Sequence, residues 1–144
     1  MIRKFIVALS SLLLLNSSVI AAEPVRVVDP EQSSEEIMED FVQQRIFEAS
    51  KKLADLVGSP EQQSSIAATL EFLKGKQILY HKKAVDKDFN GALRQIIQYS
   101  YVKDVGFVSF RFNYKQSGTG WIMANFLFQT ETMELFPPTF QNNY

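Results

Sequence analysis

Residues 91–130 read GALRQIIQYSYVKDVGFVSFRFNYKQSGTGWIMANFLFQT, and this stretch decides the fold. It divides into three long runs of strand-forming residues, separated by turn segments at 104–106 and 117–120. Both turn segments contain glycine, which readily adopts the positive φ angles of tight turns. Links this short cannot form a parallel crossover, so we predict three consecutive antiparallel strands.

Alternation within each run predicts which side chains share a face, since successive side chains of a strand point to opposite sides. In the middle run the apolar face comprises Val108, Phe110, Phe112 and Tyr114. In the first run the more apolar face comprises Leu93, Ile97, Tyr99 and Tyr101. In the last run one face comprises Ile122, Ala124, Phe126 and Phe128. The runs therefore predict a half-buried sheet.

The second face of the predicted sheet is mixed rather than uniformly polar. It keeps four large apolar side chains, Phe107, Trp121, Met123 and Leu127. Single apolar residues are common on protein surfaces, so one interpretation is a set of scattered surface groups. The other is a contiguous patch through which the protein self-associates or binds a partner. The sequence leaves both interpretations open.

The first 22 residues have the three parts of a secretory signal peptide. Arg3 and Lys4 precede an apolar stretch over residues 5–15, and small residues follow as far as Ala21 and Ala22. We predict cleavage after Ala21 or Ala22, with export to the periplasm or the exterior. The alternative is an uncleaved membrane anchor, for which the apolar stretch is short. After cleavage we expect no membrane segment.

Composition restricts the function classes. The chain has 144 residues, a formal charge of −1 and no cysteine. It has the size of a single domain, lacks the basic block typical of nucleic-acid binding and offers no thiol for catalysis. His81 is the only histidine, which excludes a multi-histidine metal site. We expect neither a metal nor a cofactor, and no nucleic-acid partner.

Two helices are predicted upstream of the sheet. The first spans residues 33–56 and begins with Ser33 and Glu36 in the form of a capping box. Its apolar residues recur at three- and four-residue spacing, which is typical of an amphipathic helix with one buried face. The second spans residues 60–74, with Pro60 at its first position.

The fold class predicted from these elements is α+β, with two N-terminal helices packed on a curved antiparallel sheet of about four strands. The fourth strand is expected around residues 77–80, with an extension to Val85 left open and a loop over 86–91. The predicted organisation is a signal peptide over 1–22, a flexible tether over 23–32, one α+β domain over 33–136 and a C-terminal tail over 137–144.

Two segments carry a family resemblance: LEFLKGKQILY at 70–80 and FVSFRFNYKQSGTGWIMANFLFQT at 107–130. With the order of the predicted elements, they resemble the small secreted bacterial members of the nuclear transport factor two-like superfamily, over residues 33–136. The resemblance implies a cystatin-like α+β cone whose helices pack into the concave side of the sheet. A third helix before the sheet is frequent in that superfamily, and the sequence pattern shows no clear one here.

That superfamily includes isomerases, dehydratases, secretion-system components and binding modules, so fold alone does not define a function. Its ketosteroid isomerase-like members use a carboxylate base and an oxyanion-stabilising tyrosine with a protonated acid inside the cone. The resemblance implies a ligand pocket at Tyr99, Tyr101, Phe110, Phe112 and Tyr114. Tyrosines in strands more often belong to the core. The candidate acids Asp86, Asp88 and Asp104 fall in predicted loops or turns, so no catalytic residue is assigned.

Three functional hypotheses follow. The first is an exported, non-catalytic binding or assembly module that forms a homodimer through Phe107, Trp121, Met123 and Leu127, or binds another protein. The second is a cone that holds a small apolar ligand, as a binder or as a cofactor-free isomerase or hydratase. The third is a secreted inhibitor or host-directed factor that acts through the acidic surface of residues 35–40.

Overall fold

A computed structural model describes residues 23–130, which form three helices and one five-stranded antiparallel sheet. The helices are α1 (Pro30–Val42), α2 (Ile46–Leu56) and α3 (Gln63–Thr69), with 3₁₀ turns at Pro60–Gln62 and Leu70–Leu73. The strands are β1 (Arg26–Val27), β2 (Ile78–Phe89), β3 (Leu93–Val102), β4 (Gly106–Ser117) and β5 (Gly120–Gln129). The order across the sheet is β1-β5-β4-β3-β2. The signal peptide and the C-terminal tail predicted above lie outside the described residues.

The antiparallel arrangement of the three long strands is confirmed. Strand β3 pairs with β4 and β4 with β5, and each link is a short turn. Asp104 and Gly118 occupy these turns with φ angles of 63° and 60°. The chain therefore reverses direction at both turn segments that the sequence indicated.

The helices pack on one side of the curled, half-barrel sheet, which we call the inner face. On β4 this face carries the four apolar residues predicted for it, and all four are fully buried. Phe41 of α1 lies 5.2 Å from Phe110, measured between ring centroids, and Phe126 of β5 lies 5.2 Å from Phe112. Behind them, Phe72 stacks on Phe128 at 4.9 Å. Aromatic rings from helices and strands thus form a continuous core.

The prediction of one long first helix is wrong, because the chain breaks between α1 and α2. Gln44 adopts a φ of 60° at the break. Its side-chain amide donates to the carbonyl of Lys76 at 2.7 Å, and its side-chain oxygen accepts from the amide of Gly75 at 2.8 Å. These tertiary bonds hold Gln44 outside the helix, although glutamine is a good helix former. The break is the reason that three helices, not two, precede the long strands.

Asp40 stabilises the corner between α1 and α2. Its carboxylate is buried, accepts a hydrogen bond from Nε of Arg45 at 2.8 Å and forms an ion pair with Lys52 at 2.7 Å. Burial alone would raise the pKa of Asp40, but the hydrogen bonds from Lys52 and Arg45 together hold it below its ordinary value. Asp40 is therefore an ionised structural residue.

The start of α1 also differs from the prediction. Asp29, not Ser33, is the N-cap residue: its Oδ1 accepts from the backbone amide of Glu31 at 2.9 Å, and Pro30 is the first helical residue. Just upstream, β1 pairs with Ile122 and Trp121 of β5. A short strand and a helix start thus lie within the segment 23–32, for which the sequence predicts a flexible tether.

Strand β2 continues through most of the residues predicted as a loop. Its positions from Val85 to Phe89 pair with β3, down to the contact of Phe89 with Leu93. Two register shifts, at Leu79 and Ala84, leave one unpaired residue each. Such bulges reverse the alternation of side chains along a strand, which hid the length of β2 in the sequence pattern.

The prediction of which side of β3 faces the core is wrong. Ile96, Gln98 and Ser100 lie opposite Phe112, Phe110 and Val108 of β4 and therefore share the inner face. Tyr99 and Tyr101 lie opposite Ser109 and Phe107, on the other side. Two buried polar residues on the inner face, Gln98 and Ser100, made that face look like the solvent side.

The helix packing and sheet curvature are compatible with a cone of the kind seen in the nuclear transport factor two-like superfamily. Three helices precede the long strands because the predicted first helix divides into α1 and α2, whereas α3 lies within the second helix predicted at 60–74.

Candidate binding surface

The sheet side that faces away from the helices, here called the outer face, carries a line of exposed aromatic residues. Tyr80 lies opposite Tyr101, and Tyr101 lies opposite Phe107, so three rings cross three adjacent strands. Their exposed fractions are 54%, 40% and 58%. The rings of Tyr101 and Phe107 meet edge to face with centroids 5.1 Å apart. We call these three residues the aromatic row.

The charged side chains at outward strand positions all have the same sign. They are Arg26 on β1, Lys82 and Lys87 on β2, and Arg111 and Lys115 on β4. Over residues 78–129, no aspartate or glutamate takes an outward strand position, because Asp86 and Asp88 pair with inward-facing residues of β3. The outer face is therefore cationic in a chain whose formal charge is −1.

Between the ends of the outer face, three amide side chains link the strands. Gln95 donates to Asn113 at 2.9 Å, and Asn113 donates to Asn125 at 2.6 Å. At the end away from the aromatic row, the Lys87 ammonium lies 4.8 Å from the centroid of the Phe89 ring. Hydrogen bonds and ring contacts thus order these side chains on the face.

Only half of the predicted self-association residues lie on the outer face. Phe107 and Leu127 do, and both are exposed. A bulge at Ala124 reverses the alternation on β5, so Met123 lies opposite the inward Tyr114. Trp121 is turned to the same side and packs against the core. The prediction that Trp121 and Met123 join Phe107 is wrong for this reason.

The predicted ligand-pocket residues are divided between the two faces. Phe110, Phe112 and Tyr114 are fully buried on the inner face, whereas Tyr99 and Tyr101 belong to the outer face. The inner three pack against the helices and against one another. The structure therefore does not bring the five side chains together around one space.

Tyr114 has a specific partner in the core. Its hydroxyl lies 2.9 Å from the hydroxyl of Ser34, which also donates to the carbonyl of Pro30 at 2.8 Å. Burial raises the pKa of Tyr114, and the neighbouring Ser33 and Ser34 oppose this only in part. The pKa of Tyr99 is also raised by burial, which the charge of Arg111 opposes.

An ionic network joins the start of α1 to the edge of the inner face. Arg94 binds Asp86 through two hydrogen bonds of 2.8 Å and lies 3.5 Å from Glu31. Lys83 pairs with Glu31 and lies 3.6 Å from Asp86. The hydrogen bond from Arg94 lowers the pKa of Asp86, against the opposing effect of burial. Each carboxylate is paired, so the network is structural.

Within residues 23–130, no three histidine, aspartate or glutamate side chains form a group that could hold a metal ion. Across the same residues, no helix combines the length and the apolar character needed to cross a membrane.

Comparison with protein-family models gives no match to this chain, and comparison with curated proteins gives none either.

Two features of the surface were missed by the sequence analysis. Tyr80 belongs to the aromatic row, and the sequence analysis assigned it to neither face. The cationic character of the outer face depends on the bulge at Ala84, which places Lys82 and Lys87 on one side although they are five residues apart. No feature of the local sequence marks that bulge.

Proposed function

We propose that this protein is an exported, non-catalytic assembly module of the nuclear transport factor two-like type, which forms a homodimer through the outer face of its sheet. One observation carries the proposal: the aromatic row presents three exposed rings across adjacent strands. Aromatic residues are enriched in protein interfaces, and exposed groups of them mark interaction sites.

The interior supports a non-catalytic role. The residues expected to line a ligand pocket on the inner face are instead packed into the core. The buried acid Asp40 is ionised and held by two cations, which leaves it unsuited to take a proton in a reaction at neutral pH.

The partner that fits the aromatic row is a second copy of the same row. Rings packed against rings would bury apolar area in a two-fold symmetric contact, the commonest arrangement of homodimers. The cations on the outer face oppose this contact, because two like-charged faces repel. We therefore expect association to strengthen with salt, which screens the repulsion.

The experiment is sedimentation velocity of the mature protein over a range of concentrations at low and high salt. We expect a dimer that is favoured by high salt and lost in the variant Tyr101→Ser/Phe107→Ser. The matched control is Phe47→Ser, since Phe47 on α2 is even more exposed, at 66%, but lies outside the outer face. A monomer at every concentration would contradict the proposal, as would equal loss of the dimer in Phe47→Ser.

The uniform charge of the outer face favours a second candidate function, binding of an acidic partner protein. In that case complex formation would weaken with salt. The direction of the salt effect therefore distinguishes the two candidates. An increase supports self-association, and a monomer whose binding to an acidic protein weakens with salt supports the second.

A further inference from the structure

A polar cleft lies between α1 and the edge strand β2, away from the aromatic row. Its volume is about 470 Å³, which falls within the range of small-molecule sites in proteins. One wall is the exposed side of α1 and the other is the middle of β2. The residue at its base, Gln98, belongs to β3.

The α1 wall is acidic and has no cationic partner in the described part of the chain. It presents Glu35, Glu36 and Glu39. Glu36 accepts a hydrogen bond from Gln32 at 3.1 Å and Glu39 accepts one from Gln43 at 2.7 Å, both from neutral amides. None of the three carboxylates lies within ion-pair distance of a described lysine, arginine or histidine. Their negative charge therefore faces the cleft uncompensated.

The β2 wall is basic. His81 and Lys83 lie on the inner side of β2, opposite Ser100 and Gln98, and Lys82 also reaches the cleft. Lys83 is already paired with Glu31 and Asp86. His81 and Lys82 make no ion pair with any residue between 23 and 130. The two walls thus offer charges of opposite sign across one space.

The base of the cleft is a nearly buried amide that has no hydrogen-bond partner among residues 23–130. Gln98 is only 2% exposed, yet it borders the cleft, and its side chain makes no hydrogen bond to another described residue. The hydroxyl of Ser100, two residues further along the same face, is also buried and has no hydrogen-bond partner within the described part of the chain. Because buried polar groups normally have partners, the Gln98 amide, which reaches the cleft, is available to a molecule bound there.

We propose that this cleft binds a small zwitterion of the amino-acid or short-peptide class. The ligand ammonium would lie against the carboxylates of α1, and the ligand carboxylate against His81 and Lys82. The amide of Gln98 can both donate to and accept from a peptide group between the two charged ends. Each end of such a ligand matches one wall, whereas a purely anionic or cationic ligand meets repulsion from the other wall.

The test uses three forms of trialanine and the mature protein. Free trialanine is a zwitterion, N-acetyl-trialanine is only anionic, and trialanine amide is only cationic. Titrations are followed by calorimetry and by NMR shifts of the Gln98 side-chain amide. We expect saturable binding of the zwitterion with a Kd on the order of 1 mM, and at least about tenfold weaker binding of both blocked forms, equivalent to about 1.4 kcal/mol.

Variants locate the site. Glu35→Gln/Glu39→Gln should weaken zwitterion binding about tenfold and reduce the preference over the anionic form. Glu48→Gln is the control, because Glu48 is an exposed carboxylate on α2 outside the cleft. Absence of saturable binding by any form would overturn the proposal. Equal binding of all three forms, or equal loss in the Glu48 variant, would overturn it as well.

The two proposals can be tested separately, because the aromatic row and the cleft share no residue. Lys82 borders both the cleft and the outer face, and the variants at Glu35 and Glu39 leave it unchanged. A monomer that binds the zwitterion would contradict only the dimer proposal. A dimer that does not bind the zwitterion would contradict only the cleft proposal.

Discussion

The two faces of strand β4 differ in almost every respect, although their residues alternate along one backbone. Phe110 and Phe112 are fully buried against helices and neighbouring rings on the inner face. Phe107 on the outer face is 58% exposed, and Arg111 and Lys115 further along the same face are cationic. The comparison shows that one strand supplies core residues on its inner side and exposed or charged residues on its outer side.

The largest expected difference between the two faces is in the stability lost when a phenylalanine is replaced by alanine. Phe110→Ala should lower the free energy of unfolding by about 3–5 kcal/mol, because it removes a fully packed ring and leaves a cavity. Phe107→Ala should cost less than about 1 kcal/mol, since more than half of this side chain already contacts solvent. Urea unfolding of both variants measures the difference, and similar losses would show that the two faces contribute equally to the fold.

A smaller effect is expected at the corner that holds the helices over the inner face. Asp40→Asn should destabilise the protein by about 2 kcal/mol, because it removes charge-assisted hydrogen bonds to Arg45 and Lys52. The control Asp55→Asn breaks only the ion pair with Lys51 within one helix and should cost about 0.5 kcal/mol. Thermal unfolding at neutral pH compares the two, and an equal loss would argue against a special role for Asp40.

The same residue predicts a dependence on pH. The pKa of Asp40 is lower in the folded chain than in the unfolded chain, so its contribution to stability is fully present above the unfolded pKa. That contribution is lost as the pH falls below about 4 and through the folded pKa. Wild-type stability should therefore fall more steeply than that of Asp40→Asn in acid. Urea midpoints between pH 7 and pH 3 test this, and parallel curves would contradict it.

Tyrosine hydroxyls on opposite faces offer a matched pair with a smaller effect. Tyr114→Phe should cost about 1 kcal/mol, because it removes the hydrogen bond to Ser34 inside the core. Tyr101→Phe should leave stability almost unchanged, since Tyr101 belongs to the exposed aromatic row. Equilibrium unfolding measures the free energy of unfolding of both variants. A greater loss of stability in Tyr101→Phe than in Tyr114→Phe would contradict the assignment of the two faces.

The smallest effect needs no substitution. Trp121 is the single tryptophan, and the bulge at Ala124 turns it toward the core. Its fluorescence in the native protein should be quenched by acrylamide clearly less than in the urea-unfolded protein. Equal quenching in both states would place Trp121 on the solvent side, as regular alternation along β5 would have done.

The sequence was sufficient to predict the structure where its patterns were local and uninterrupted. Regular alternation gave the inner face of β4, and glycine with Asp104 marked the two turns. It was insufficient at the bulges of β2 and β5, where one inserted residue reverses the face of every residue beyond it. It also missed the break at Gln44, which depends on hydrogen bonds to residues 75 and 76, about thirty positions along the chain.

The candidate surfaces show the same division. Phe107 and Leu127 were predicted on the outer face because each lies in a part of its strand with regular alternation. The cleft was not predicted, since its walls belong to α1 and β2 and meet only through the tertiary fold. The buried Gln98 gave no signal of the cleft, because β3 also contains the polar residues Arg94, Gln95 and Ser100.

The most direct test of the account asks whether the outer face meets a second copy of itself. Because the chain has no cysteine, Tyr101→Cys would carry a single thiol in the middle strand of the aromatic row. Under mild oxidation we predict efficient disulfide cross-linking between copies of this variant. The matched control Phe47→Cys carries its single thiol on α2 and should cross-link little. Equal, low yields from both variants would contradict the claim that the outer face of the sheet is the assembly surface.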